Sequence, residues 1–155
     1  MTSADAPLVP WHIGLAVDDL DQAMAELGGA LRLTWGKIHH FSGQTQGATP
    51  DEVFDIETRV CFSLDLPFSV ELFEQVPGTP LEAPTDSTFH HLGYWTDDMA
   101  GEERRLDGIG FPCFGKTPGA DGQTRIALHR GPSGIVVESC NIQVGRPGLE
   151  HFLPR

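Results

Sequence analysis

A nine-residue motif occurs twice in this chain of 155 residues. Residues 12–20 read HIGLAVDDL and residues 91–99 read HLGYWTDDM, so both follow His-x-Gly-x-x-x-Asp-Asp-apolar at an offset of 79 positions. Duplication at such a spacing implies two copies of one supersecondary unit that bury their apolar faces together. No other feature of the sequence restricts the fold as much.

Each copy reads as a strand running into a helix. Leu15 and Val17 alternate with Gly14 and Ala16, the period of two expected of a half-buried strand. Asp19 stands at the N-cap position with Gln22 three residues on, a capping box. Leu20, Met24, Leu27 and Leu31 then form one apolar stripe at helical spacing, and Gly28 and Gly29 weaken its end. In the second copy the strand spans 89–95, Asp98 is the cap, Glu102 and Glu103 occupy the early helix, and Gly108 and Gly110 close it. Strand-like segments follow at about 33–40, 58–64 and 68–75 in the first half, and at about 111–115, 124–129 and 134–140 in the second. Gly131-Pro132-Ser133-Gly134 is the turn between the last two. Each half therefore reads β-α-β-β-β, an α+β fold. The expected single domain has module 1 at about 10–75, a linker rich in Pro and Thr at 76–88, module 2 at about 89–142 and an irregular tail at 143–155. Residues 43–52 read as a long polar loop.

Composition excludes several classes. With 39% hydrophobic residues the chain can build a core, and a net charge of −12 argues against nucleic acid and anionic membrane surfaces as partners. The three cysteines, Cys61, Cys113 and Cys140, are odd in number and form no C-x-x-C, so neither a disulfide framework nor a cysteine zinc site is expected. The start, MTSADAPLVP, lacks the basic residues and apolar run of a signal peptide, and no stretch approaches the roughly 20 apolar residues of a membrane helix. A cytoplasmic location is the simplest expectation.

The two halves also end alike. Glu71 lies in SVELFEQ and Glu138 in GIVVESC, each a carboxylate inside an apolar strand and each costly to bury without a partner. Together with His12 and His91 they make a plausible set of metal ligands, one His and one Glu from each repeat. Two carboxylates neutralise a divalent ion. Imidazole with carboxylate suits Zn, Ni, Co, Mn or Fe(II), and the two histidines argue against Mg or Ca. Four protein ligands on an octahedral ion leave two positions for water or substrate, as Lewis-acid chemistry requires.

HIGLAVDDL, VELFEQ, HHLGYW and GIVVES resemble the four metal-bearing strands of the vicinal oxygen chelate superfamily, which contains glyoxalases, bleomycin-resistance proteins and extradiol dioxygenases. The resemblance covers roughly residues 10–142 and runs to the methylmalonyl-CoA epimerase and glyoxalase I branch, through His-His-Leu-Gly followed by Asp-Asp and through Val-Glu-Leu. It implies a mixed sheet curled round a metal-holding bowl with helices outside. It implies the ligands His12, Glu71, His91 and Glu138, with His91 preferred to His90 because it aligns with His12. Residues 37–61 depart from the epimerase pattern and offer no counterpart to its carboxylate base. The arginines that hold glutathione in glyoxalase I also have no recognisable counterpart.

The function implied is a metal-dependent lyase, isomerase or epimerase. Its substrate is a small molecule whose adjacent oxygens chelate the ion, which stabilises an enolate or enediolate as a neighbouring C–H loses its proton. Glu71 or Glu138 is the implied base, and His39, His40 and His129 are alternatives suited to neutral pH. Strand parity sets Gly93 and Trp95 on the face of His91, Val136 and Cys140 on that of Glu138, and Gly14 and Ala16 on that of His12. Trp95, by that parity, and His39 and His129, as histidines suited to neutral pH, are the candidate substrate-binding residues. The rival reading is a metal-free antibiotic-binding protein walled by Trp11, Trp35 and Trp95. A ring-cleaving dioxygenase would require Glu71 to point away from the ion. A site within one chain and a site across a homodimer both remain open.

Overall fold

The computed structural model describes residues 6–64, 67–119 and 121–144. Most of the tail expected over 143–155 lies outside them. The element order is β1 (His12–Val17), α1 (Leu20–Leu31), β2 (His39–Gln46), β3 (Val53–Phe62), β4 (Ser69–Glu74), β5 (Phe89–Thr96), α2 (Met99–Gly108), β6 (Cys113–Pro118), β7 (Thr124–Arg130) and β8 (Val136–Asn141). It is the expected β-α-β-β-β plan, twice over.

The strands close into a barrel in the order β1-β4-β3-β2-β6-β7-β8-β5. Within each half the first strand pairs in parallel with the fourth, β1 with β4 and β5 with β8, and the two halves meet where β1 pairs antiparallel with β5. The other side closes through a single pairing, Gln46 with Lys116, reinforced by a 2.9 Å hydrogen bond between the Thr45 and Thr117 hydroxyls. The mixed pairing and the barrel closure leave two distinct faces, a packed exterior and a hollow interior.

The helices cover the exterior. Asp19 accepts a hydrogen bond from the backbone N–H of Gln22 at 3.0 Å, which satisfies one of the open donors at the start of α1. The Gln22 side-chain amide in turn donates to Glu26 at 2.8 Å, one turn further along the helix. Arg32 ends the helix in the left-handed region, at φ 58°. Leu20, Cys61 and Leu72 are the fully buried centre beneath α1, with Leu15, Val17, Met24, Leu27 and Trp35 packed around them. Truncating Leu20 or Leu72 to Ala would cost about 2–5 kcal/mol. Arg59 of β3 ties this layer down, bonding both Asp21 of α1 and Glu74 of β4. In the second half Asp98 caps α2 through the Gly101 N–H at 2.8 Å, and Tyr94 of β5 donates to Glu102 of α2 at 2.6 Å.

Strand boundaries differ most from the sequence expectation before β3, which itself begins at Val53 and not near 58. The supposed loop at 43–52 is strand as far as Gln46, and only 47–52 turns. Its polar residues made it look like a loop, but Ser42 and Gln44 sit on the solvent side of a strand paired along its whole length with β3. Conversely, the strand expected over 33–40 starts only at His39, and Trp35 contributes an isolated bridge to Ser63. No helix among the described residues is long and apolar enough to cross a membrane.

Candidate metal centre

Strand register brings the four candidate ligands together. Gly14 pairs with Glu71 on one side and His91 on the other, while Gly93 pairs with His12 and Glu138. The central strands β4-β1-β5-β8 thus carry two short rows, Glu71-Gly14-His91 and His12-Gly93-Glu138, that face the barrel interior. Each row has a glycine at its centre. A Cβ on Gly14 would overlap the ring of His91, and one on Gly93 would overlap the ring of His12. The glycine of each repeat is the space into which the histidine of the other repeat folds.

One donor atom from each of His12, Glu71, His91 and Glu138 lies within 4.8 Å of all the others. His12 Nε2 is 3.2 Å from Glu71 Oε2 and 3.4 Å from Glu138 Oε1. His91 Nε2 is 3.1 Å from Glu71 Oε2 and 3.7 Å from Glu138 Oε2. The two Nε2 atoms approach to 2.8 Å. Both histidines and Glu138 are buried. All four donors come from one chain. Glu71 Oε2 is buried and faces the Nε2 atoms of both histidines, so it calls for a proton on an imidazole or a cation between them.

The electrostatics say the same. Burial opposes the charge of His12, but hydrogen bonds and charges from Glu138 and Glu71 win, raising its pKa to about 9. Burial likewise opposes ionisation of Glu71, yet the neighbouring His12 and His91 rings hold its carboxyl below the usual carboxylate range. Glu138 shifts down too, against burial, chiefly through the charge of His91 and its bond to His12. Two buried carboxylates therefore demand positive charge between them. A divalent ion would supply it, and the donor set fits a borderline transition metal.

A hydrogen-bond chain selects the tautomer of His91. The carbonyl of Pro80 can only accept, so His90 Nε2 is its donor at 2.9 Å. Burial first, then the charge of His91, lowers the His90 pKa to about 4, so this ring is neutral and its Nδ1 carries a lone pair. That lone pair accepts the Nδ1–H of His91 at 2.8 Å. The Nε2 lone pair of His91 is thereby aimed at the cluster, as a metal ligand requires. His90 reaches this position through a bulge: Gly14 pairs with His91 and Leu15 with Phe89, so His90 is the extra residue on β5.

A cavity of about 190 Å³ opens above the cluster. Trp11 and Trp95 stack on one wall with ring centroids 4.7 Å apart and planes 7° from parallel. Phe41, Val60, Phe62 and Phe73 continue the apolar lining, with Thr45, Thr58 and Thr117 as neutral polar groups. His39 and His40 also reach it, and partial burial, then Arg125 and Lys37, push the His39 pKa down. Glu71 and Glu138 are the carboxylates among the described lining residues, so residues 37–61 add none. Cys140 lines the cavity and donates its thiol to Glu138 Oε1 at 3.2 Å, and burial pushes that thiol's pKa well up.

Two sequence candidates lie elsewhere. His129 follows Leu128, which pairs with inward-facing Glu138, so His129 faces away from the cavity, where its Nδ1 donates to the Phe111 carbonyl at 3.1 Å. It does not line the cavity, contrary to the expectation of a substrate contact or base at that position. Trp35 donates to the Met24 carbonyl at 3.0 Å and pins α1, so the tryptophan wall consists of Trp11 and Trp95. Sequence reasoning missed the Pro80–His90 relay and Arg125 as a lining residue. The His90-His91 doublet was a visible sign of the first; nothing local marked the second.

Comparison with solved structures places the fold. A hypothetical protein from Bacillus halodurans C-125 superposes with a TM-score of 0.60 at 17% identity, over 88% of this chain and 95% of that one. A single-residue variant of Streptomyces coelicolor methylmalonyl-CoA epimerase, in complex with 2-nitronate-propionyl-CoA, gives 0.58 at 16% identity, over 87% of this chain and 98% of that one. Methylmalonyl-CoA epimerase from Mycobacterium tuberculosis gives 0.58 at 15%, over 90% and 92%. No curated protein matches. Residues 11–127 match the family described as the glyoxalase/bleomycin resistance protein/dioxygenase superfamily, and the chain with its inward-facing His and Glu pairs belongs to that superfamily.

Proposed function

We propose that the protein is a metal-dependent lyase or isomerase of the glyoxalase and epimerase type, acting on a small molecule with two adjacent oxygens. The observation that carries this reading is the convergence of His12, Glu71, His91 and Glu138 on one point at the floor of an apolar cavity. His12, Glu71, His91 and Glu138 would hold a divalent transition metal, which would supply Lewis-acid polarisation of the substrate's two oxygens. Glu71 points into the cluster, which supports four ligands rather than the three of an iron oxygenase.

The chain's own residues do the rest. Trp11 and Trp95 hold the apolar body of the substrate and exclude water from the reacting carbon. Glu138 or Glu71 takes the proton, because these carboxylates alone among the described lining residues reach the cavity. Cys140 holds Oε1 of Glu138, which orients the carboxylate and leaves Oε2 for the ion or for the proton. His39 sits on the wall as a contact to substrate oxygen or as a proton acceptor.

The stacked Trp11–Trp95 wall favours a second reading, a metal-free binder of flat aromatic molecules. One experiment separates the two. Protein purified without chelators or affinity metal is assayed for Zn, Ni, Co, Mn and Fe, then incubated in D2O with a panel of 2-hydroxy ketones and 2-oxo acids. About one ion per chain, with deuterium entering next to the carbonyl, is the expected result. Absence of metal before and after reconstitution overturns it in favour of the binder.

A further inference from the structure

The proposed chelation site leaves one cation of the cavity wall unexplained. Arg125 lines the cavity, and its charge acts on His39, another lining residue. Three other cations of this acidic chain are paired, Arg59 with Asp21 and Glu74, Arg105 with Glu102 and Lys116 with Glu103, but none of the three lines the cavity. Arg125 has no carboxylate partner among the described residues. A guanidinium beside aromatic walls with no counter-ion is a receptor for an anion, and its flat fork fits a carboxylate.

The backbone puts it there by an irregularity. Ile126 pairs with Cys140 and Leu128 with Glu138, so those even positions of β7 share the inward face and Arg125 would by parity point outward. Against β6, however, Thr117 pairs with Ile126 and Pro118 with Thr124. Arg125 is the extra residue of a bulge, the device by which a strand re-aims a side chain.

We propose that Arg125 recognises a second, anionic group of the substrate, separated from its two chelating oxygens by an apolar body. The substrate class is then an acid with a vicinal-oxygen head, such as a hydroxy or oxo compound bearing a remote carboxylate. This rests on the metal-chelation reading above. Arg125 lies three strand positions from Leu128, the partner of Glu138, roughly 10 Å along β7. Once both side chains reach inward, that gap suits a body of about one aromatic ring, which Trp11, Trp95 and Ile126 would flank.

The test uses zinc-loaded full-length protein and two hydroxamates, which chelate through two adjacent oxygens: 4-carboxybenzohydroxamate and its neutral analogue 4-methylbenzohydroxamate. Dissociation constants are read from quenching of tryptophan fluorescence, for wild type, Arg125→Met and Arg125→Lys, each checked for equal zinc content. Wild type is expected to prefer the carboxylate roughly 10- to 100-fold, the range for a charge-assisted pair. Arg125→Met should lose the preference while binding the methyl compound as before, and Arg125→Lys should keep part of it. Equal wild-type affinities, or a preference that survives in Arg125→Met, overturns the role of Arg125 and leaves chelation standing. Failure of both hydroxamates to bind the zinc-loaded wild type removes the chelation reading and this one with it.

Discussion

Gly93 stands opposite His12 across β1 and β5, and the side chain that the glycine lacks is the volume that the imidazole fills. Gly14 and His91 repeat the relationship in reverse. The His-x-Gly of each motif is therefore one half of a lock whose other half lies in the other repeat. Gly93→Ala should displace His12, abolish metal retention and destabilise the fold by about 1–3 kcal/mol, the usual cost of overpacking. Gly29→Ala is the control, since nothing lies within 4 Å of a Cβ there. It should leave metal binding unchanged and stabilise helix α1 by up to about 1 kcal/mol. Elemental analysis and thermal denaturation of both variants check the pair, and normal metal content in Gly93→Ala would break the argument.

His90 is expected to act on the metal through His91 alone. His90→Phe removes the acceptor for the His91 Nδ1–H and frees the ring to adopt the wrong tautomer. Metal affinity should fall roughly 10- to 100-fold, as for other partners of ligating histidines. Competition against a chromophoric chelator measures it. An unchanged affinity would show that the Pro80–His90–His91 chain has no bearing on the site.

The candidate ligands and the histidine outside the cavity should separate cleanly. His91→Ala should fold yet retain no metal, and Glu138→Gln should lose metal affinity and activity together. His129→Ala should keep wild-type metal content, because its ring faces away from the cavity. Its cost is in stability, about 1–3 kcal/mol, from the Phe111 carbonyl left without its donor. A larger loss of activity in His129→Ala than in Glu138→Gln would reassign the base.

Metal affinity and metal-free stability should move in opposite directions with pH. The folded pKa of His12 is raised to about 9 from an ordinary value of 6.5. Its protonated form therefore stabilises the metal-free fold fully below pH 6.5, and that contribution is lost as pH rises to about 9. The ion competes with the same proton, so its affinity should climb across the same window, with proton release on binding at about pH 7. Urea unfolding of metal-free protein and calorimetric titration in two buffers of different ionisation enthalpy read both trends. A pH-independent affinity between 6.5 and about 9 would exclude His12 as a ligand.

The sequence by itself determined the repeat, and with it the double β-α-β-β-β plan, the two helix caps at Asp19 and Asp98, and the two His and two Glu as candidate ligands. These were legible because they rest on short-range rules: period-two alternation, N-cap chemistry, and the cost of a carboxylate in an apolar strand. Tertiary structure alone decided which neighbours reach the cavity. Parity runs true only while a strand is regular, and the bulges at His90 and Arg125 arise from pairing with distant strands. The same long-range pairing made strand of polar residues 43–46 and turned His129 outward. It also chose Trp11 over Trp35 as the partner of Trp95, since which aromatic lines a hollow depends on where the barrel closes and not on the residues beside it.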